Sequence, residues 1–164
     1  MKKAIKEILK FSNEVLEKGN SLPLGIMSTI TSNYGINLPL EYYELVRSMN
    51  GFSIMGDGVV GIKHESLSGI SLEQLYQQEH YEVENPMSKF LVPFCNDGEG
   101  NHYCIDCANV HEKTETAKII FWQWDYSYSE VDQPEVVNDS LAEWILEIPI
   151  GWTLENHDYE GNEK

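Results

Sequence analysis

The segment Phe90-Leu91-Val92-Pro93-Phe94-Cys95-Asn96-Asp97-Gly98-Glu99-Gly100-Asn101-His102-Tyr103-Cys104-Ile105-Asp106 constrains the fold more than any other part of the chain. An apolar, strand-like run enters a short acidic loop with two glycines and leaves at once into a second strand-like run. Such a pattern specifies a β-hairpin, and hence antiparallel pairing, with Asp97, Glu99 and Asn101 presented at its tip.

Helical signals lie on either side of this hairpin. Ile5, Ile8, Leu9, Val15 and Leu16 recur at helical spacing over residues 3 to 18, with Gly19 as a terminator. Leu24, Met27 and Ile30 predict a short helix between Pro23 and Asn33. The next segment, Leu38 to Gly51, reads as a helix with Pro39 and Glu41 in its first turn and Asn50-Gly51 as a left-handed stop. Its apolar face is Tyr42, Leu45, Val46 and Met49. Phe52 to Met55 and Val59 to Ile62 then form two short strands around Gly56-Asp57-Gly58. A helix over 71 to 80 ends before Asn85-Pro86. Strands follow at 89 to 95, 102 to 106 and 117 to 126, and a helix over 139 to 147 buries Leu141, Trp144 and Ile145. The expected fold is α+β: one domain over residues 1 to 155, a mostly antiparallel sheet flanked by helices, and a polar, frayed tail over 156 to 164.

A chain of 164 residues with 41% hydrophobic content builds its own core without disulfide staples. Its three cysteines suit a reducing compartment, and its charged N-terminus lacks the uninterrupted apolar stretch of a signal peptide, so a cytoplasmic location is expected. Residues 1 to 18 carry five lysines against three glutamates, a net +2, which leaves −18 of the total −16 on residues 19 to 164. Arg47 is the sole arginine. Such a surface repels phosphates, which argues against nucleic acid and anionic membranes as partners. It suits plain solubility, or a basic protein steered in by the field.

No constellation specifies catalysis. His102, Cys104, Cys107 and His111 add up to four zinc ligands, but they come from one compact segment whose spacing matches no two-part zinc module. Cys104 lies in a strand pattern rather than at a helix N-terminus, so two structural cysteines are expected in place of a redox pair. Asp97, Glu99 and Asn101 alternate like the opening of a calcium loop. Counting from Asp97, however, His102 and Ala108 stand where glycine and glutamate belong. The five histidines at 64, 80, 102, 111 and 157 show no ligand spacing, and no cofactor is expected. Trp122, Trp124, Tyr126 and Tyr128 alternate along the 117 to 126 strand and beyond, which predicts one core face. Its end, beside Asp125, offers aromatic anchors for an interface.

Leu38-Pro39 with Tyr42-Tyr43, followed by Asn50-Gly51, resembles the "LP-x-x-Y … NG" signature of the SUKH superfamily, whose members include fungal regulators of cell-wall assembly and many bacterial immunity proteins. The hairpin resembles that family's "fipf-x-x-dg-x-Gn-yclD" core. Ile119 to Asp125 resembles its "V-x-fwdh" strand, and Ser140 to Ile145 its "sF-x-x-wl" closing helix. The four motifs run in the family's order over residues 38 to 146. Gln123 and Trp124 replace the usual acidic-histidine ending of the strand, and Leu141 replaces an aromatic. The resemblance implies an α+β fold and a binding function without catalytic residues: an antidote that neutralises a toxin domain, or a regulatory scaffold. The toxins bound by such antidotes are often nucleases, which are basic. Asp97, Glu99, Asn101, Asp125, Tyr126 and Tyr128 are the expected contact residues.

Overall fold

The computed structural model describes residues 1–25, 29–62, 67 and 69–164. Met27 of the expected second helix and His64 lie outside these. The elements run α1 (Lys2–Ile8), β1 (Leu16–Lys18), α2 (Thr29–Tyr34), α3 (Leu40–Ser48), β2 (Phe52–Ile54), β3 (Asp57–Val59), α4 (Leu72–Tyr81), β4 (Leu91–Asn96), β5 (His102–Asp106), β6 (Ile119–Trp122), β7 (Glu135–Asn138) and α5 (Leu141–Ile145). A π-helical stretch (Leu146–Trp152) then leads into α6 (Thr153–Asn156). One antiparallel sheet has the order β1-β2-β3 and the other β4-β5-β6-β7. The Val60 N–H donates to the Phe94 carbonyl at 2.9 Å and links the two. The α+β reading holds, with every strand pair antiparallel.

Local chemistry accounts for the element ends. Ser71 caps α4 in a reciprocal box with Gln74, which satisfies donors the first turn leaves open. Ser140 caps α5 by accepting from the Glu143 N–H. Between β2 and β3, Met55 and Gly56 both have positive φ, as a two-residue hairpin turn requires. The expected loop at 56 to 58 is therefore displaced: Asp57 and Gly58 belong to β3. Pro93 has no N–H to give the ladder, and the register slips between Pro93 and Cys95 as a bulge.

The expected helix over 3 to 18 stops at Ile8. The Ser12 N–H donates to the Tyr159 carbonyl and the Ser12 hydroxyl accepts from the Glu14 N–H, diverting the backbone from helical bonding. Leu16 then pairs with Ile54 as part of β1. Gly19 does not cap a helix; a Cβ there would lie 2.3 Å from the Asn50 carbonyl oxygen, so close backbone approach requires glycine. The tail does not fray either. His157 bridges to Glu163, and Tyr159 packs edge-on against Phe11 with ring centroids 4.9 Å apart.

The main core lies between the inner face of the four-stranded sheet and the helices. Trp144 of α5 meets Phe94 edge-on at 4.8 Å and Tyr103 at 5.1 Å. Val92, Ile105 and Ile119 surround this aromatic centre within the same cluster. The outer face carries a second, smaller cluster of Met87, Leu91, Cys104, Ile120 and Trp122, with Tyr128 laid across it. Two polar residues hold distant elements together. Asn50 donates to the Ile62 carbonyl and accepts from the Ile62 N–H, at 2.9 and 2.8 Å. Glu41, only 4% exposed, accepts from the backbone N–H groups of Ala117, Leu141 and Ala142. Burial pushes its carboxyl above the usual glutamate value, against those three hydrogen bonds. Among the described residues no helix is long and apolar enough to cross a membrane.

Candidate functional site

The hairpin tip is an Asx-type knot. One Asp97 carboxylate oxygen accepts from the backbone N–H groups of Glu99 and Asn101 at 2.8 and 3.0 Å, and the other accepts from the Asn101 side-chain amide at 2.7 Å. Partial burial pulls the Asp97 carboxyl upward. The Asn101 side-chain amide, the two backbone N–H groups and nearby His102 outweigh it and hold the carboxyl below its usual value. Asp97 and Asn101 thus hold the loop together, and Glu99 is the tip side chain left exposed.

The aromatic segment does not continue as a strand. β6 ends at Trp122, and the chain turns at Gln123 to Tyr126, where the Tyr126 N–H donates to the Gln123 carbonyl. The expected single aromatic face is therefore split. Trp122 is buried on the outer face of the sheet, while Trp124 is 55% exposed and Tyr126 is exposed as well. Tyr128 folds back over Trp122, with centroids 4.6 Å apart, and its hydroxyl accepts from the Gln123 N–H. The Tyr126 hydroxyl donates to the Asp132 carboxylate, which raises the phenol's pKa. Asp125 is exposed at the turn.

Trp124 brings the two sets of expected contact residues together. Its indole N–H donates to the Glu99 carbonyl at 3.1 Å. A Cβ on Gly100, where φ is +97°, would approach the Trp124 ring to 2.9 Å. Asn85 holds the turn from the other side, donating to the carbonyls of Trp124 and Tyr126 at 3.0 Å each. Tip, aromatic turn and the end of α4 form one continuous surface. They frame a cleft of about 510 Å³ lined by Glu79, Val83, Glu84, Asn85, Asn96, Gly100, His102 and Trp124.

Sequence reasoning missed Glu79, Glu84 and Asn85 as members of this surface. They carry no periodic or motif signal; Asn85-Pro86 reads only as a helix stop, and α4 reaches the tip through tertiary packing. His102 likewise faces the cleft from β5, 3% exposed.

The thiols are inert by position. Cys95, Cys104 and Cys107 are free and buried, and burial pushes all three well above the ordinary thiol value, Cys95 up to about 12. Cys104 lies 3.8 Å from the Met87 sulfur within the outer cluster. Among the described residues no three His, Cys, Asp or Glu side chains gather in a way that would hold a metal ion.

The chain is thus an α+β domain whose acidic hairpin tip is locked against an exposed aromatic turn. The model of the SMI1 / KNR4 family (SUKH-1) matches residues 28–147, and the chain belongs to that family. No curated protein matches the chain. Among solved structures, it is similar to a protein from Pseudomonas syringae pv. tomato, at 13% identity and a TM-score of 0.56, over 92% of this chain and 99% of that one. This likeness supports the fold alone.

Proposed function

We propose that this protein is an immunity-type antidote that neutralises a cognate toxin domain by direct binding, with no turnover of its own. The observation that carries the reading is charge: within a family compatible with such a role, residues 19 to 164 hold a net −18. A nuclease toxin is basic wherever it grips nucleic acid, so an acidic antidote is drawn to it and covers its cleft. Contact falls on the surface built by the tip and the aromatic turn. Glu99 and Asp125 offer exposed carboxylates and Tyr126 an aromatic anchor. Asp97, Asn101 and Tyr128 keep that surface in shape.

The test is co-expression with a toxin encoded beside this protein's gene. Growth is expected to be restored, and purified protein is expected to abolish toxin activity at one equivalent, as stoichiometric binding requires. Growth that stays arrested despite soluble antidote overturns the immunity reading and favours a regulatory scaffold that binds another partner.

A further inference from the structure

The cleft between α4, the hairpin tip and Trp124 contains a largely buried carboxylate, Glu79, that takes no hydrogen bond from any described residue. The Glu79 side chain is 17% exposed, and His102 Nε2 lies 3.8 Å from its carboxylate. That contact is not an ion pair. Asn96 Oδ1 already accepts from the Gly98 N–H at 2.6 Å, so Asn96 Nδ2 is the donor facing His102 Nε2 at 3.2 Å. His102 Nε2 is then an acceptor and the neutral ring keeps its proton on Nδ1, a buried nitrogen with no hydrogen-bond partner among the described residues. Burial favours the same state, since it lowers the His102 pKa against the pull of Asp97. Glu79 therefore faces a lone pair, and among the described residues no cation or hydrogen-bond donor reaches its carboxylate. Burial accordingly raises its pKa.

Around Glu79 the cleft is built for a positive charge. Glu84 adds a second, exposed carboxylate at the rim. Trp124 supplies a half-exposed indole, held in place by its hydrogen bond to Glu99 and by Asn85's grip on its carbonyl. A fixed aromatic face beside two carboxylates is what a guanidinium requires: cation–π contact on its plane and charge-assisted hydrogen bonds at its edge. We propose that this cleft is a slot for an arginine side chain of the protein partner. The slot rests on the reading of a basic partner and names the feature of that partner it receives.

The probe is N-acetyl-arginine amide, titrated at low salt into the full-length protein labelled with nitrogen-15. The expected result is saturable shifts of the Gly100 amide and the Trp124 indole N–H. The neutral citrulline counterpart is expected to bind at least fivefold more weakly. Glu79→Gln, and Trp124→Leu read at Gly100, are each expected to weaken binding about three- to fivefold. If Glu79→Gln fails to fold, Glu84→Gln at the exposed rim takes its place with the same expectation. The proposal is overturned if citrulline binds as well as arginine, if no shift occurs, or if the shifts fall equally on Asp139, Glu143 and Glu147, which line a separate cleft beside β7. Because the probe contains no toxin, a negative titration removes the slot alone. Failed rescue of growth with arginine binding intact removes the immunity reading instead.

Discussion

Glu41 lies in the first turn of α3, where the sequence suggests that it complements its own helix dipole, yet its carboxylate is spent elsewhere. It accepts from the Leu141 and Ala142 N–H groups at the start of α5 and from the Ala117 N–H just before β6. One side chain therefore joins three segments far apart in sequence, and it satisfies donors that a helix start leaves open. Glu41→Ala strands buried N–H groups, each worth about 1–3 kcal/mol when unmet. Chemical denaturation is expected to show a loss of about 2–3 kcal/mol with an unchanged slope, and Glu41→Gln is expected to recover part of it. A Glu41→Ala protein as stable as the parent would show that water replaces the carboxylate at no cost. Its neighbours in the sequence do not announce this role: a glutamate at the second position of a helix is ordinary, and its partners lie about 76 to 101 residues away.

At the scale of elements, the β4–β5 hairpin was the most legible part of the chain. Both strands form where the apolar runs predict, and the tip turns at the glycines. The Asp97 knot is local, since its partners Glu99 and Asn101 belong to the same loop, but the closure of Trp124 over it depends on where a third segment travels. The knot has a pH signature. The folded loop holds the Asp97 carboxyl below its unfolded value, so the folded state binds fewer protons. Its contribution is present above the unfolded aspartate pKa, roughly 3.9, and is lost as pH falls through the lower folded value. Amide resonances of Glu99 and Asn101 are expected to move together over that acidic window, and Asp97→Ala is expected to abolish the transition. A midpoint above the ordinary aspartate value would contradict the hydrogen bonding described. The 117 to 126 strand was only half legible. Its alternation continues past Trp122, but β6 pairs with β5 only as far as the Trp122–His102 register, and beyond it Asn85 captures the backbone carbonyls of the turn.

The whole molecule is closed by its ends. The Ser12 N–H donates to the Tyr159 carbonyl, the Tyr159 hydroxyl donates to Glu7, and the Tyr159 ring packs on Phe11. Asp158 ties this last turn by accepting from the Glu160 and Asn162 N–H groups. A polar segment that reads as a frayed tail is thus the brace that ends α1 early and sends the chain into β1. Deleting residues 157 to 164 is expected to lower the thermal midpoint by about 2–8 °C, the effect of roughly 1–2 kcal/mol on a domain of this size. Hydrogen exchange at Ser12 is expected to accelerate in the same variant. An unchanged midpoint with unchanged exchange would show that the brace contributes nothing.

By itself the sequence determined the α+β class, α3, α4 and the central hairpin, together with the family motifs and the acidic surface. These follow from local periodicity, turn chemistry and charge, which are written within a few residues of one another. Tertiary structure alone decided that Val15 and Leu16 leave the helix, that Glu135 to Asn138 pair as β7, and that α5 runs on through a π-helical stretch. It alone set Glu79 and Glu84 beside Trp124 at the acidic tip. The reason is physical: backbone donors and half-buried carboxylates take their partners from segments that are neighbours only after folding, and no local pattern encodes that distance. The hairpin that makes the chain recognisable was fixed locally, and the surface around its tip was assembled from afar.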